Sequence, residues 1–253
     1  MLKDKVTELK ENLERLEEAI SAACRAAGRA RGEVELMAVS KTFPAEAVAE
    51  AAALGLTLFG ENRVQEFGAK ISHAAEHGTW AVRDRLRFNL IGHLQSNKAA
   101  RAAELFDGIV SLDSVRLAER LDEAAGRYGK RLPVLIEVKL SSEAAKTGLT
   151  PESVEAAQLL ERLPDLLNLE TRGLMTIAPW GAPDDVTRTC FGNLRAWRDR
   201  WAAAHPNLHF NVLSMGMSGD FRLAIQEGST RIRIGTALFG KRTLPSPTSA
   251  QEE

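Results

Sequence analysis

The sequence predicts a single (β/α)8 barrel with an additional amphipathic helix, residues 3–28, at its amino end. Three observations carry this. Apolar runs of strand length alternate with amphipathic helical stretches from residue 34 onward, and the alternation yields eight strands, the number that closes a parallel barrel. No glycine-rich dinucleotide fingerprint follows the first strand, where an open doubly wound sheet would carry one. The chain has 253 residues, 44% of them hydrophobic, enough for one TIM-barrel domain.

In the first segment Val6, Leu9, Leu13, Leu16 and Ile20 recur at spacings of three and four, with charged residues opposite. The repeat is too brief for a coiled-coil seam, so a helix laid on a larger core is expected. The strands follow at 34–40, 56–60, 86–92, 108–113, 133–140, 167–175, 208–215 and 230–235. Helical patterns lie between them at 44–54, 62–76, 96–105, 114–129, 151–163, 184–204 and 217–227. Thr150-Pro151-Glu152 reads as a helix start, with the threonine as cap. Residues 74–86 hold a loop or an extra helical turn. No linker rich in Pro, Gly or Ser interrupts the pattern, so residues 1–242 are expected as one domain and the polar, proline-containing tail 243–253 as disordered.

Lys and Arg (33) nearly balance Asp and Glu (34), so no overall field recruits nucleic acid or an anionic membrane. The two cysteines, Cys24 and Cys190, have neither metal-site spacing nor the look of a disulfide framework. No signal-peptide layout opens the chain, and the apolar runs are too short to span a bilayer. A cytoplasmic location is expected.

In a parallel barrel the chemistry sits at the carboxyl ends of the strands. The first strand runs through LMAVS into Lys41. Taken alone, that lysine reads as a cation reaching solvent past its apolar stem; the sharper reading is an amine held to form a Schiff base. Other strand ends carry polar or small residues: Asn62 and Arg63 after the second; Gly92, His93, Gln95 and Asn97 after the third; Met175 and Thr176 after the sixth. The seventh ends in Ser214, Gly216, Met217, Ser218 and Gly219, the eighth in Gly235 and Thr236. Such small-residue turns expose backbone N–H groups at a helix start, and barrels commonly bind phosphate between these two loops. An amine beside a phosphate site suits pyridoxal 5′-phosphate. An ordinary lysine, with pKa ~10.4, is only ~0.04% neutral at pH 7, and burial or nearby cations such as Arg233 would raise that fraction. Arg233 also offers a permanent donor to the pyridine nitrogen, which would leave the ring a poor electron sink. Strand alternation puts Arg231 and Arg233 on one side, so an exposed Arg233, like the exposed Arg231 expected here, is the competing reading.

Together VSKTFP, FGENRVQE, IGHLQSNK, RGLMTIAP, LSMGMSGDF and RIRIGTALFG resemble the pyridoxal phosphate homeostasis protein family, from the first helix to about Arg242. The resemblance implies a single barrel like the N-terminal domain of alanine racemase and a Schiff base on Lys41. It also implies phosphate contacts from Ser214, Met217, Ser218, Gly235 and Thr236, with Asn62 lining the site and Arg233 at the pyridine nitrogen. Such a protein carries the cofactor in intracellular vitamin B6 and amino-acid homeostasis, without established turnover. Acceptor apo-enzymes dependent on the cofactor are the expected partners, and a monomer the expected state. This chain departs from the family in reading FNLIG (Phe88, Asn89) where WHFIG is common, in lacking an asparagine near the end of strand five, and in lacking a tyrosine after the final FGxR.

Two other functions compete. An amino-acid racemase on this cofactor needs a second acid/base opposite the lysine, normally a tyrosine from a second domain. The sole tyrosine here, Tyr128, lies before strand five, at the amino-end face, and the length leaves no room for such a domain. His93 could substitute, although a hydrogen-bonding loop histidine is the commoner case. A sugar-phosphate lyase using Lys41 would leave Arg233 without a ring nitrogen to meet. The carrier reading accounts for the most residues.

Overall fold

The apolar runs pair as parallel strands in chain order and close on themselves. The strands are β1 (Glu35–Val39), β2 (Leu58–Glu61), β3 (Arg87–Leu90), β4 (Gly108–Leu112), β5 (Leu132–Glu137), β6 (Leu169–Met175), β7 (Val212–Ser214) and β8 (Arg231–Ile234). β1 pairs with β8 from Glu35↔Arg231 to Ala38↔Ile234, which completes the barrel. This is a computed structural model; it describes residues 2–80, 83–141 and 147–240, with backbone alone at 2–6 and 83. The tail 243–253 lies outside the described residues, as does the side chain of Val6.

Both faces of every strand are buried, which explains why these strands read as continuous apolar runs rather than alternating ones. Met37, Leu58, Val110, Leu135 and Met175 fill the interior. A larger apolar layer, including Ala38, Phe59, Phe88, Ile109 and Leu174, separates the barrel from its helices. Phe88, one of the departures noted above, packs here at 5.4 Å from the Phe59 ring and 5.0 Å from Trp80. At the barrel floor Glu35 accepts from Arg87 at 2.8 Å and from Arg231 at 2.8 Å. Arg231 is therefore not the exposed strand residue expected: it points inward like Arg233, two residues on, and its charge is matched at the floor.

β6 contains the one irregularity that matters for the site. The register against β5 passes from Val134↔Thr171 to Leu135↔Gly173, leaving Arg172 as the extra residue of a bulge. The bulge reverses the inward–outward parity, so Leu174 joins the outer layer and Met175 the interior. Gly173 holds φ +154°, and a Cβ there would lie 1.8 Å from the Val212 carbonyl oxygen.

The helices are α1 (Leu2–Ala26), α2 (Ala45–Ala53), α3 (Val64–Glu76), α4 (Ala99–Leu105), α5 (Val115–Arg127), α6 (Val154–Arg162), α7 (Asp184–Ala204), α8 (Phe221–Gln226) and α9 (Thr236–Phe239). α1 buries Leu9, Leu16, Ile20 and Cys24 and lies against α8 and α9, as a helix laid on a core. The start of α6 differs from the expectation. Its cap is Ser153, whose hydroxyl accepts from Ala156 N at 3.1 Å, while Thr150 only accepts from Ser153 N in the turn before. A 3-10 turn at Arg83–Arg85 precedes β3, within the stretch expected to hold a loop or an extra helical turn. The seventh strand is shorter than its apolar run, because β6 pairs with it only from Val212 to Ser214.

Candidate functional site

A cleft of about 900 Å3 opens at the carboxyl ends of the strands. Lys41 reaches it from the turn after β1, Asn62 from the turn after β2, and Arg233 from β8. Met217 and Ser218 line it before α8, and Gly235 and Thr236 at the start of α9. The sequence candidates from four separate strand ends thus share one wall.

Met175, Ser214 and Gly216 do not line the cleft; they lie beneath it. Met175 is part of the interior apolar layer. Ser214 accepts from Arg233 Nη1 through both its carbonyl (2.7 Å) and its hydroxyl (2.8 Å). The Thr176 carbonyl accepts from Arg233 Nη2 at 2.9 Å. Three neutral acceptors therefore aim a cation that is 4% exposed. Burial pushes the Arg233 guanidinium down to about 10, against the pull of Asp220 and Glu137, so it stays charged at neutral pH. Gly216 holds φ +96°, where a Cβ would meet the Ala224 Cβ at 2.6 Å, and its carbonyl accepts from Arg233 N at 2.9 Å. It is a packing glycine that lets the turn close onto α8.

The two small-residue loops also differ in detail from the expectation. Met217 N donates to the Asp220 carboxylate at 2.5 Å, so this N–H is already engaged within its own turn. The backbone N–H groups of Ser218 and Gly219, among the described residues, make no hydrogen bond. Ser218 Oγ accepts from Ala237 N at 3.3 Å, tying the seventh loop to the eighth. The helices behind these loops have six and four residues, so any anion there would be met by local N–H groups rather than by a helix dipole. These groups, the amine and the guanidinium are the donor set that a phosphorylated pyridine aldehyde calls for.

Residues 9–243 match the family defined by the alanine racemase N-terminal domain. Pyridoxal phosphate homeostasis proteins are similar over nearly their whole length. The one from Vibrio cholerae is 43% identical over 236 residues, covering 92% of this chain and 96% of its own. That from Pseudomonas aeruginosa is 41% identical, covering 94% and 98%. The chain belongs to the pyridoxal phosphate homeostasis protein family. The structure of PipY from Synechococcus elongatus with PLP bound superimposes with a TM-score of 0.75 at 43% identity, covering 82% of this chain and 93% of that one. A Clostridium difficile alanine racemase shares the fold at a TM-score of 0.67 and 16% identity, with this chain spanning 57% of it.

One residue beside the cleft, Phe43, was not singled out from sequence. Phe43, two residues beyond Lys41, packs on Phe239 at 5.0 Å between ring centroids and joins the first and eighth loops beside the cleft. The loop after β6, from Ile177 to Ala182, forms the far wall, with Trp180 on the rim at 89% exposure. The crowded third loop contributes less than its composition suggests. His93 pairs with Asp113 at 3.1 Å, and His93, Gln95 and Asn97 do not line the cleft. Tyr128, 47% exposed, caps the end of α5 at the opposite end of the barrel.

Beside the cleft, Glu137 is buried in the barrel mouth and accepts from Thr147 Oγ1 at 2.8 Å. Burial raises its pKa above the usual 4.5, with the Thr147 bond opposing the shift. The folded chain thus binds this proton more tightly than the unfolded one. The group's contribution to stability is complete below the unfolded value and is lost as pH rises through the raised folded value. Glu137→Gln keeps the shape and the Thr147 bond without the buried charge. Its stability relative to wild type is expected to increase as pH is raised from about 4 to about 8, read as the denaturant midpoint at each pH. A pH-independent difference would contradict this account.

Proposed function

We propose that this protein binds pyridoxal 5′-phosphate through Lys41 and carries it, serving vitamin B6 and amino-acid balance rather than catalysing a turnover of its own. The observation that carries the reading is the convergence of the Lys41 amine, the N–H groups of the seventh and eighth loops and the Arg233 guanidinium on one cleft. A relative at 43% identity has been solved with PLP bound, which supports it. Bound, the cofactor supplies an aldehyde for covalent capture and a ring able to withdraw electrons. The chain's own groups then divide the work. Lys41 holds the aldehyde carbon, with Asn62 beside it. Ser218, Gly235 and Thr236 hold the phosphate, with Met217 contributing side-chain wall, since its N–H is engaged by Asp220. Ser214 aims Arg233 from beneath, and Gly216 closes the turn onto α8. Met175 forms the apolar floor.

Arg233 decides what the bound group can do. A guanidinium with a pKa of about 10 donates at neutral pH and surrenders no proton, so it leaves the pyridine nitrogen unprotonated. Racemisation also needs a second acid/base across from the amine, and the single tyrosine of the chain is at the far end of the barrel. No helix among the described residues is long and apolar enough to cross a membrane. The proposal extends to a cytoplasmic monomer that hands the cofactor to apo-enzymes. The loaded protein is expected to restore activity to a PLP-dependent apo-enzyme while racemising alanine no faster than free cofactor does. Racemisation at about 1 s⁻¹ or faster, the range of ordinary enzymes, would overturn the non-catalytic reading.

A further inference from the structure

Lys41 sits in a turn, yet the backbone on both sides of it is held by side chains that have no place in the cleft. On one side, Ser40 N donates to Gly60 O at 3.0 Å, the last ladder bond of β1. The Ser40 hydroxyl donates to Glu61 Oε1 at 2.8 Å, and the Ser40 carbonyl accepts from Lys70 Nζ at 2.9 Å. Lys70 also bonds Glu61 Oε1 directly, and the two side chains are 6% and 0% exposed. On the other side, Thr42 N donates to Glu66 Oε1 at 2.6 Å. Thr42 has φ +68°, a left-handed conformation that a β-branched residue adopts only when its surroundings impose it.

The arrangement has an economical geometry. Glu66 and Lys70 are four residues apart on α3, hence on one face, and Glu61 ends the strand that leads into α3. A buried ion pair is a poor device for stability, because desolvation offsets most of its attraction and an apolar pair of the same volume would serve as well. This one is also incomplete: Glu61 Oε2 is buried without a hydrogen-bond partner. What the pair does accomplish is to grip the hydroxyl and the carbonyl of the residue before Lys41.

We infer that Glu61, Lys70 and Glu66 are positioning residues that fix the backbone on either side of Lys41 and so aim its amine into the cleft. The inference rests on the reading of Lys41 as the residue that captures the cofactor's aldehyde. It goes further in assigning α3, which lines no part of the cleft, as the element that sets the efficiency of that capture.

The test compares pyridoxal 5′-phosphate with pyridoxine 5′-phosphate, which has the same ring and phosphate but an alcohol in place of the aldehyde. In Glu66→Ala and in Lys70→Met, affinity for the aldehyde form is expected to fall about tenfold, the effect of losing one such buried or charged hydrogen bond. Affinity for the alcohol form is expected to stay within about twofold in the same variants. Glu66→Gln, which retains an acceptor for Thr42 N, is expected to behave as wild type. Glu66 lies on a partly exposed face, so its variants keep the test valid should Lys70→Met fail to fold. Equal weakening of both ligands would mean a merely structural role and would overturn the inference, as would no change for either. A wild-type protein that binds both ligands alike and fixes neither to Lys41 on borohydride reduction would overturn the parent reading and this inference with it.

Discussion

Lys41→Ala is expected to abolish the visible absorption of the cofactor-loaded protein and to weaken pyridoxal phosphate binding at least about a hundredfold, equivalent to ~2.8 kcal/mol. The residue lies in the turn after an apolar strand, at the mouth of the cleft, where an amine rather than a cation is the useful species. Its removal leaves the phosphate loops and Arg233 in place, so residual binding should resemble that of an analogue lacking the aldehyde. Lys41→Arg is a sharper control. It keeps the charge and much of the length, but a guanidinium stays protonated and does not attack a carbonyl, so the same loss of absorption is expected. Because Lys41 is only half-buried and lies in a turn, neither variant should shift the thermal midpoint by more than a degree or two (roughly 0.5 kcal/mol for a chain of this size). Retention of the absorption band in Lys41→Ala would place the covalent chemistry elsewhere.

The largest stability effect is expected at Gly173, far from any ligand contact. A methyl group there would sit 1.8 Å from the Val212 carbonyl oxygen and 2.8 Å from its nitrogen, both backbone atoms of the neighbouring strand. Neither can move without breaking the β6–β7 pairing of Gly173↔Val212, and φ +154° adds strain of its own. Gly173→Ala should therefore destabilise the barrel by about 3 kcal/mol or more, in the range of a severe overpacking defect. The consequence extends to the site. The bulge beside Gly173 sets the parity by which Met175 faces inward, and it places the Thr176 carbonyl where it accepts from Arg233. Denaturant unfolding measures the first effect. A variant that folds should also bind the cofactor less tightly, and a stable variant with unchanged midpoint would show that the strand tolerates a Cβ.

Much of this molecule is legible in its sequence because the physics is local. Apolar runs broken by amphipathic helices mark each strand, and a barrel converts strand ends into a shared mouth, so Lys41, Asn62, Ser218 and Thr236 come together without any knowledge of their distances. What was not legible depends on register or on partners far apart in sequence. The bulge at Arg172 changes which side of β6 faces inward, and nothing in LETRGLM announces it. Arg231 and Arg233 share a side of β8, yet one meets Glu35 at the floor and the other meets three neutral acceptors at the mouth. Their separate roles come from depth in the barrel, which alternation does not encode. Met217 reads as a donor to phosphate in the sequence, but Asp220, three residues on, occupies its N–H. Glu61 and Lys70 were passed over because they face outward from the barrel, where a charged pair between strand and helix has no signature in composition.

The proposed roles divide across the fold. Lys41 and Arg233 line the cleft at the strand ends, whereas Ser40, Glu61 and Lys70, proposed to aim the amine, lie in the layer between strands and helices. A departure such as Phe88 falls in that outer layer, stacked among Phe59, Phe67 and Trp80, and is absorbed by aromatic packing rather than by the site.

The most direct measurement is borohydride reduction of the protein loaded with pyridoxal phosphate, followed by peptide mapping. The pyridoxyl group is expected on Lys41 alone, at close to one per chain. Its appearance on another lysine, or failure to fix any cofactor, would contradict the account.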